Sequence, residues 1–338
     1  MSMNLVPGQS DWGDLAAALT YTTEPGGMRV DDLFQREILD IQRRRGMFGQ
    51  RLTNLPATGQ PSRYIQQTAL PGAQEFVNPN SLIPAATGTP NRTEKALYLK
   101  ALVGQMDNSL FNTEVTNQQG MFTPLQAKDF NDAIDALLKK HDKALWQGTA
   151  TAPTDSATLE YAGFFKQLTA ATNPFTVNVA AGVSIVEKFN LIVAQIMSQE
   201  NVDVVPTAAY CHPMAIEALQ REVSGKASFF NQVEITPGYR VNAIATMAGD
   251  IPLIADPLIG KTDIDGNGVT DSYPIAIVTE SLLEYHYLTD SNVRIFELGL
   301  APGLARRRVM VKFGGFLVKA PDQAHGLLRV ADNWTPPV

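Results

Sequence analysis

The densest run of potential metal ligands in the chain is Asp263-Ile264-Asp265-Gly266-Asn267-Gly268, with Asp271 just beyond it. Short oxygen-bearing side chains at alternate positions converge on one hard cation such as calcium, and Gly268 permits a sharp turn. The twelfth place of such a loop needs a bidentate Glu, and Pro274 stands there. A calcium set of Asp263, Asp265, Asn267 and Asp271 therefore competes with a plainer reading, an Asp/Asn/Gly-rich surface turn between two strands. No other cofactor is expected.

The remaining reactive residue types do not assemble a catalytic set. Cys211 and His212 are neighbours on an expected strand, so they point to opposite faces and cannot pair. His141, His286 and His325 lack ligand spacing and read as core or interface residues. Ser224-Gly225-Lys226-Ala227 fails as a phosphate loop, because Gln220 stands where the first Gly belongs and Ala227 where Ser or Thr belongs. Neither Gly-x-Ser-x-Gly nor His-Glu-x-x-His occurs. The sharpest basic run is Arg306-Arg307-Arg308; on a strand, Arg306 and Arg308 share a face. It can touch nucleic acid or pair with acidic groups of another copy of the chain, near Glu75 or Glu94. The acidic balance of the chain favours pairing.

The elements that must carry these residues follow from spacing. Residues 1–30 read as an extended, Gly-containing arm. A helix is expected from Asp31 or Asp32 to Gly46, with Phe34, Ile38 and Ile41 on one face. Residues 50–94 are punctuated by Pro and Gly and cannot hold a long helix. A long two-stranded excursion fits, with Lys95–Met106 as the return strand. Thr123, Pro124 and Gln126 open a helix that runs to about 146, with Phe130, Ile134, Leu137, Leu138, His141 and Leu145 on its apolar face. A second helix starts at Ser184, boxed by Glu187. Strands are expected at 203–212, 240–246, 251–255 (after a Gly249-Asp250 turn), 274–278, 284–288, 293–298 and 307–318, with a short helix from Pro213. The pattern is α+β with mostly antiparallel pairs.

Composition narrows the classes. The 338 residues are 44% hydrophobic, enough for a large core. Only 18% are charged, below the usual share, as in chains that bury surface against copies of themselves. The net charge of −7 argues against tight generic DNA binding. One cysteine permits no intrachain disulfide, in keeping with a reducing cytosol. No membrane span and no secretory signal at Met1–Asp14 are expected.

The order of elements, with Val204-Val205-Pro206-Thr207-Ala208-Ala209-Tyr210-Cys211-His212-Pro213, then Gly249-Asp250-Ile251-Pro252-Leu253-Ile254-Ala255-Asp256, and a close on Lys319-Ala320-Pro321, resembles the major capsid proteins of tailed double-stranded DNA phages, the fold named after the Hong Kong phage. The resemblance implies an N-terminal arm (1–50), an extended loop (51–105), a peripheral domain with a spine helix (106–160 and 291–338) and an axial domain (161–290). It implies a non-enzymatic shell subunit of the virion, assembled in the host cytoplasm from pentamers and hexamers of this chain. The genome would be enclosed without tight specific binding, with no membrane. A separate scaffolding protein, a portal and a cement protein are the further partners it suggests. Tyr64, Ile65, Leu82 and Ile83 would dock on neighbours, with Arg306 and Arg308 at contacts. An encapsulin-type nanocompartment remains an alternative, as does a calcium-dependent hydrolase or binding protein.

Some relatives crosslink their shells through a Lys in the extended loop, and this chain has no Lys between Arg51 and Glu94. Particles boiled in detergent are therefore expected to run as monomers on a denaturing gel; a ladder of covalent oligomers contradicts this.

Overall fold

The computed structural model describes residues 46–69, 80, 90–119, 125–199, 203–224, 231–236, 239–263, 268–289, 292–301 and 304–337. The expected helix at 31–46 lies almost wholly outside them, as do Thr123 and Pro124 of the expected cap.

In chain order the elements begin with α1 (Phe48–Arg51), β1 (Thr53–Pro56), β2 (Ser62–Ala69), β3 (Asn91–Leu97), β4 (Lys100–Ser109), α2 (Leu110–Gln119), α3 (Leu125–Gln147), α4 (Phe164–Ala170) and β5 (Thr176–Val179). They continue with α5 (Ile185–Met197), β6 (Ala208–Cys211), α6 (Pro213–Ser224), β7 (Asn231–Thr236), β8 (Tyr239–Thr246) and β9 (Gly249–Ala255). The last are β10 (Ser272–Val278), β11 (Leu283–Tyr287), β12 (Arg294–Ala301), β13 (Ala305–Val318) and β14 (Gly326–Ala331). Two compact units emerge. The larger comprises Arg44–Leu102, Leu138–Asn292 and Lys312–Val338; the smaller is built on Val103–Leu137 and Val293–Val311.

The larger unit is organised by a sheet of order β5-β14-β10-β6-β9-β8-β7. Strand side chains alternate between faces. Ala209, Cys211, Ile275, Ile277, Leu328 and Val330 join one apolar cluster with Phe189, Ile192 and Val193 of α5. Ala208, Tyr210, Ala276, Val278 and Leu327 join a second cluster on the other face with Phe48, Trp146, Phe164 and Phe316. Because both faces are covered, β6 and β10 read in the sequence as unbroken apolar runs.

Helix α5 shows why its face is buried. Ile185, Phe189, Ile192, Val193 and Ile196 recur at helical spacing and are all inaccessible. Ser184 caps it by accepting the Glu187 N–H at 3.2 Å. The carboxylate at the helix start is Glu222 from α6, which accepts the Ile185 N–H at 2.7 Å and the Ser184 hydroxyl. A negative group there suits the exposed N–H groups and the positive helix end.

Four expectations are corrected. The segment 203–207 is not strand, and Asp203, Val205 and Thr207 are exposed. The turn between β8 and β9 is Met247-Ala248, with Gly249 and Asp250 already paired to Thr246 and Ala245. Gly249 takes a φ of +98°, a conformation that glycine adopts readily. The return strand at 95–106 is two strands, β3 and β4. The break has a cause: the Gln60 side chain accepts the Leu99 N–H at 2.9 Å and donates to the Leu99 carbonyl at 3.1 Å, taking both groups a strand neighbour would use. The fourth concerns α2, α4, β5, β7 and β14, which spacing did not reveal.

Buried histidines give this unit a pH dependence. His325 is fully enclosed, its Nε2 near the Lys319 carbonyl at 3.2 Å, and burial pushes its pKa down to about 4. His141, bonded to the Tyr161 hydroxyl, is pushed down to about 3 by burial and then by the Lys312 charge. Both rings stay neutral in the folded chain, while the unfolded chain protonates them near the ordinary value of 6.5. Stability is complete above that value and falls as pH drops below it. Between pH 8 and pH 5 each histidine removes roughly 2 kcal/mol. Urea unfolding of His325→Gln is expected to lose about 2 kcal/mol less over that range than the parent; equal losses exclude the effect.

Candidate assembly surface

Strands β2 and β3 form a two-stranded antiparallel ribbon with Ser62 opposite Leu97, Tyr64 opposite Lys95 and Ile65 opposite Glu94. Alternation places Ser62 and Tyr64 on one face and Arg63 and Ile65 on the other. The two adjacent residues expected to dock together, Tyr64 and Ile65, are therefore separated.

The first face is fastened at its root. Leu97 is buried over Gly315, where an added Cβ would lie 3.2 Å from three Leu97 carbons. Gly314 likewise makes room for the ring and hydroxyl of Tyr285. Ser62 Oγ lies 3.1 Å from His286 Nδ1, and His286 Nε2 lies 3.1 Å from Glu284 Oε2. Lys319 donates its ammonium to the other Glu284 oxygen. Tyr64 is half-buried; burial first, then the Glu284 charge, pushes its pKa up to about 12.

The second face has no such cover. Ile65 is 73% exposed. The Arg63–Glu94 pair beside it, at 2.9 Å, is open to water on both sides and contributes little. Residues Asn91 to Lys95 are exposed throughout. Leu82 and Ile83, the other expected docking residues, lie outside the described residues, as does Glu75.

In the smaller unit β12 stands at the end of its sheet path, paired on one side with β13. Ile295 (47% exposed) and Phe296 (41%) point to opposite faces, and Leu298 (63%) follows. An edge strand with apolar groups open on both faces is a template for association. The arginines beside it are largely engaged within the chain. Arg307 holds Asp107 through two bonds, at 2.8 and 2.7 Å, and keeps that carboxyl below its usual range. Arg308 reaches Glu297 at 2.9 Å and lies over the Phe130 ring at 5.3 Å. The acidic partner expected for Arg308 on another subunit is thus supplied from β12, and Glu94 is taken by Arg63. Arg306 is exposed with no ion pair among the described residues.

Of the expected calcium set, Asp263 and Asp271 are among the described residues. Asp263 accepts the Gly268 N–H at 2.6 Å, and the Asp271 N–H binds the Thr262 carbonyl at 3.1 Å. Asp265 and Asn267 lie outside the described residues. Among the described residues no three His, Cys, Asp or Glu gather as a metal site. Cys211 is buried and its thiol is pushed far up, while His212 stacks on Tyr273. Among the described residues no helix is long and apolar enough to cross a membrane.

One polar network escaped the sequence reading. Arg51 meets Glu280 through two bonds, at 2.6 and 2.8 Å, and the Tyr210 hydroxyl donates to the same carboxylate at 2.6 Å. It ties α1 and β6 to Glu280, 229 and 70 positions further along the chain, so no local spacing could announce it.

No family model matches the chain, and no curated protein does. Solved structures do. A chain from Gordonia phage Cozz is 16% identical, with a TM-score of 0.60 and 98% of each chain covered. The capsid of the native GTA particle gives 14% identity and a TM-score of 0.59, covering 90% of this chain and 97% of that one. The holo-SrpI encapsulin complex from Synechococcus elongatus PCC 7942 gives 14% and 0.57, covering 95% and 96%. At these identities the likeness shows the fold, the α+β capsid type of tailed phages, over nearly the whole chain.

The two ribbon faces differ in consequence. Leu97→Ala is expected to lower stability by about 2–5 kcal/mol by opening a cavity at the root. Ile65→Ala is expected to change it by less than about 0.5 kcal/mol. Urea unfolding of the unassembled chain checks both.

Proposed function

We propose that this chain is the major shell subunit of a tailed-phage head, acting by assembly and not by catalysis. The observation that carries the reading is the pairing of a ribbon fastened only at its root with an edge strand apolar on both faces, on a chain with this fold. Ile65, Ile295, Phe296 and Leu298 stay exposed, and burial against a neighbour removes apolar area from water at about 25 cal/mol per Å². Permanent interfaces of this kind cover ~2,000–5,000 Å² in total. Repeated around closed symmetry, such contacts make a stable container from individually modest ones.

On this reading residues 1–50 are the arm, 51–105 the extended loop, 106–160 with 291–338 the peripheral domain, and 161–290 the axial domain. Copies of the chain meet as pentamers and hexamers. Scaffolding, portal and cement proteins are separate chains, and double-stranded DNA is enclosed in the virion. Host cytoplasm is the place of assembly, and the single buried thiol is at ease in reducing conditions.

The test is electron microscopy of the expressed chain. The parent is expected to form closed particles. Ile65→Asp combined with Phe296→Asp is expected to stay as subunits or small oligomers with an unchanged circular dichroism spectrum. Closed particles from the double variant overturn the docking role of these faces. A parent that stays monomeric at high concentration overturns the shell itself. Small shells that enclose an enzyme instead of DNA favour the encapsulin alternative.

A further inference from the structure

A cleft of about 740 Å³ opens on the larger unit beside the end of α3, helix α4 and the segment 257–263. Its lining holds five cations, Lys139, Lys143, Lys166, Lys261 and Arg329, and one carboxylate, Asp263. The chain as a whole carries −7, so this clustering runs against its average.

The cations are poorly compensated. Lys139, Lys143 and Lys166 are exposed and make no ion pair among the described residues. Lys261 reaches Asp332 only at 3.7 Å. Arg329 is half-buried, and its Nε is enclosed without a hydrogen-bond partner among the described residues. A buried guanidinium N–H left unpaired is costly, and an acceptor entering the cleft would relieve it. Asp263 offers partial compensation, but one of its oxygens is committed to the Gly268 N–H.

We propose that this cleft binds adjacent phosphate groups, as found in a nucleic-acid backbone or a free polyphosphate. Lys139 and Lys143 stand one helical turn apart, about 5–6 Å between Cβ atoms. That spacing suits successive charges of one polyanion. Lys ammoniums act as compact point charges with three donors each, and a phosphate offers several acceptor oxygens to share among them. The volume lies in the range of ligand sites and exceeds what one small anion fills.

The test uses the unassembled full chain, so its outcome is separate from whether shells form. The probes are sodium tripolyphosphate, followed by calorimetry, and a labelled single-stranded 12-mer, followed by anisotropy. Lys143→Gln with Lys166→Gln changes two exposed side chains and leaves the core intact. The parent is expected to bind tripolyphosphate, and the double variant at least tenfold more weakly. If the source is nucleic acid, the 12-mer displaces tripolyphosphate and its salt dependence in the double variant is shallower by roughly 1.4, two contacts at 0.7 each. Tripolyphosphate binding without 12-mer binding assigns the site to free polyphosphate. Binding of neither probe, equal affinity in parent and variant, or equal binding of hexaglutamate overturns the proposal.

Discussion

The constraint on which the larger unit depends is a sheet that must be dry on both sides. Strands β6 and β10 sit at its middle, and every residue from Ala208 to Cys211 is buried. A strand in that position needs a cover on each face. Helix α5 supplies one, with its fully enclosed face of Ile, Phe and Val. The aromatic group of Phe48, Trp146, Phe164 and Phe316 supplies the other. Most polar groups in this interior are paired: Trp146 donates to Asp256 at 3.1 Å, and Gln167 bridges the Ala162 and Phe316 carbonyls at 2.8 and 3.0 Å. Asn190 Oδ1 and Arg329 Nε are the exceptions among the described residues. With its interior largely satisfied, this body can serve as a base for segments that are not.

Those segments follow opposite physics. Beyond its root the β2–β3 ribbon has little of its own chain to fold against, and β12 offers apolar groups on two faces. Long exposed edges of this sort are hazards in a solitary protein. They become assets in one whose working state is a lattice of copies. The cations lining the cleft at α3 and α4 are a third unsatisfied feature, and they call for an anion where the other two call for apolar surface.

Much of the fold was legible where periodicity is local. Ser184 with Ile185, Phe189, Ile192 and Val193 marked the start of α5 and its buried face, because a cap and a helical stripe lie within a dozen positions. The Pro/Gly punctuation around 56–90 suggested a ribbon, and β2 and β3 form one. What stayed hidden depends on distant partners. The break at Tyr98-Leu99 arises from the amide of Gln60. The carboxylate at the start of α5 comes from Glu222, not from the neighbouring Glu187. Strand β14 has six residues and lies between β5 and β10, a place only the folded sheet reveals. Tyr64 and Ile65 were expected to dock together, but the pleat sends them to opposite faces of the ribbon. Arg308 was expected to pair with acidic groups of a neighbouring subunit, and within the chain Glu297 engages it across the strand pair, a match that depends on register.

The glycine beneath Leu97 carries an implication for inheritance. Position 315 has no side chain because position 97 fills the space, so the two sites are one unit of shape although 218 positions separate them. Among descendants of this gene, a side chain at 315 requires the residue at 97 to give way by a few tenths of an ångström or to become smaller. Change at this joint is therefore expected to arrive as paired substitutions, which ties the ancestry of the ribbon to that of the sheet it stands on.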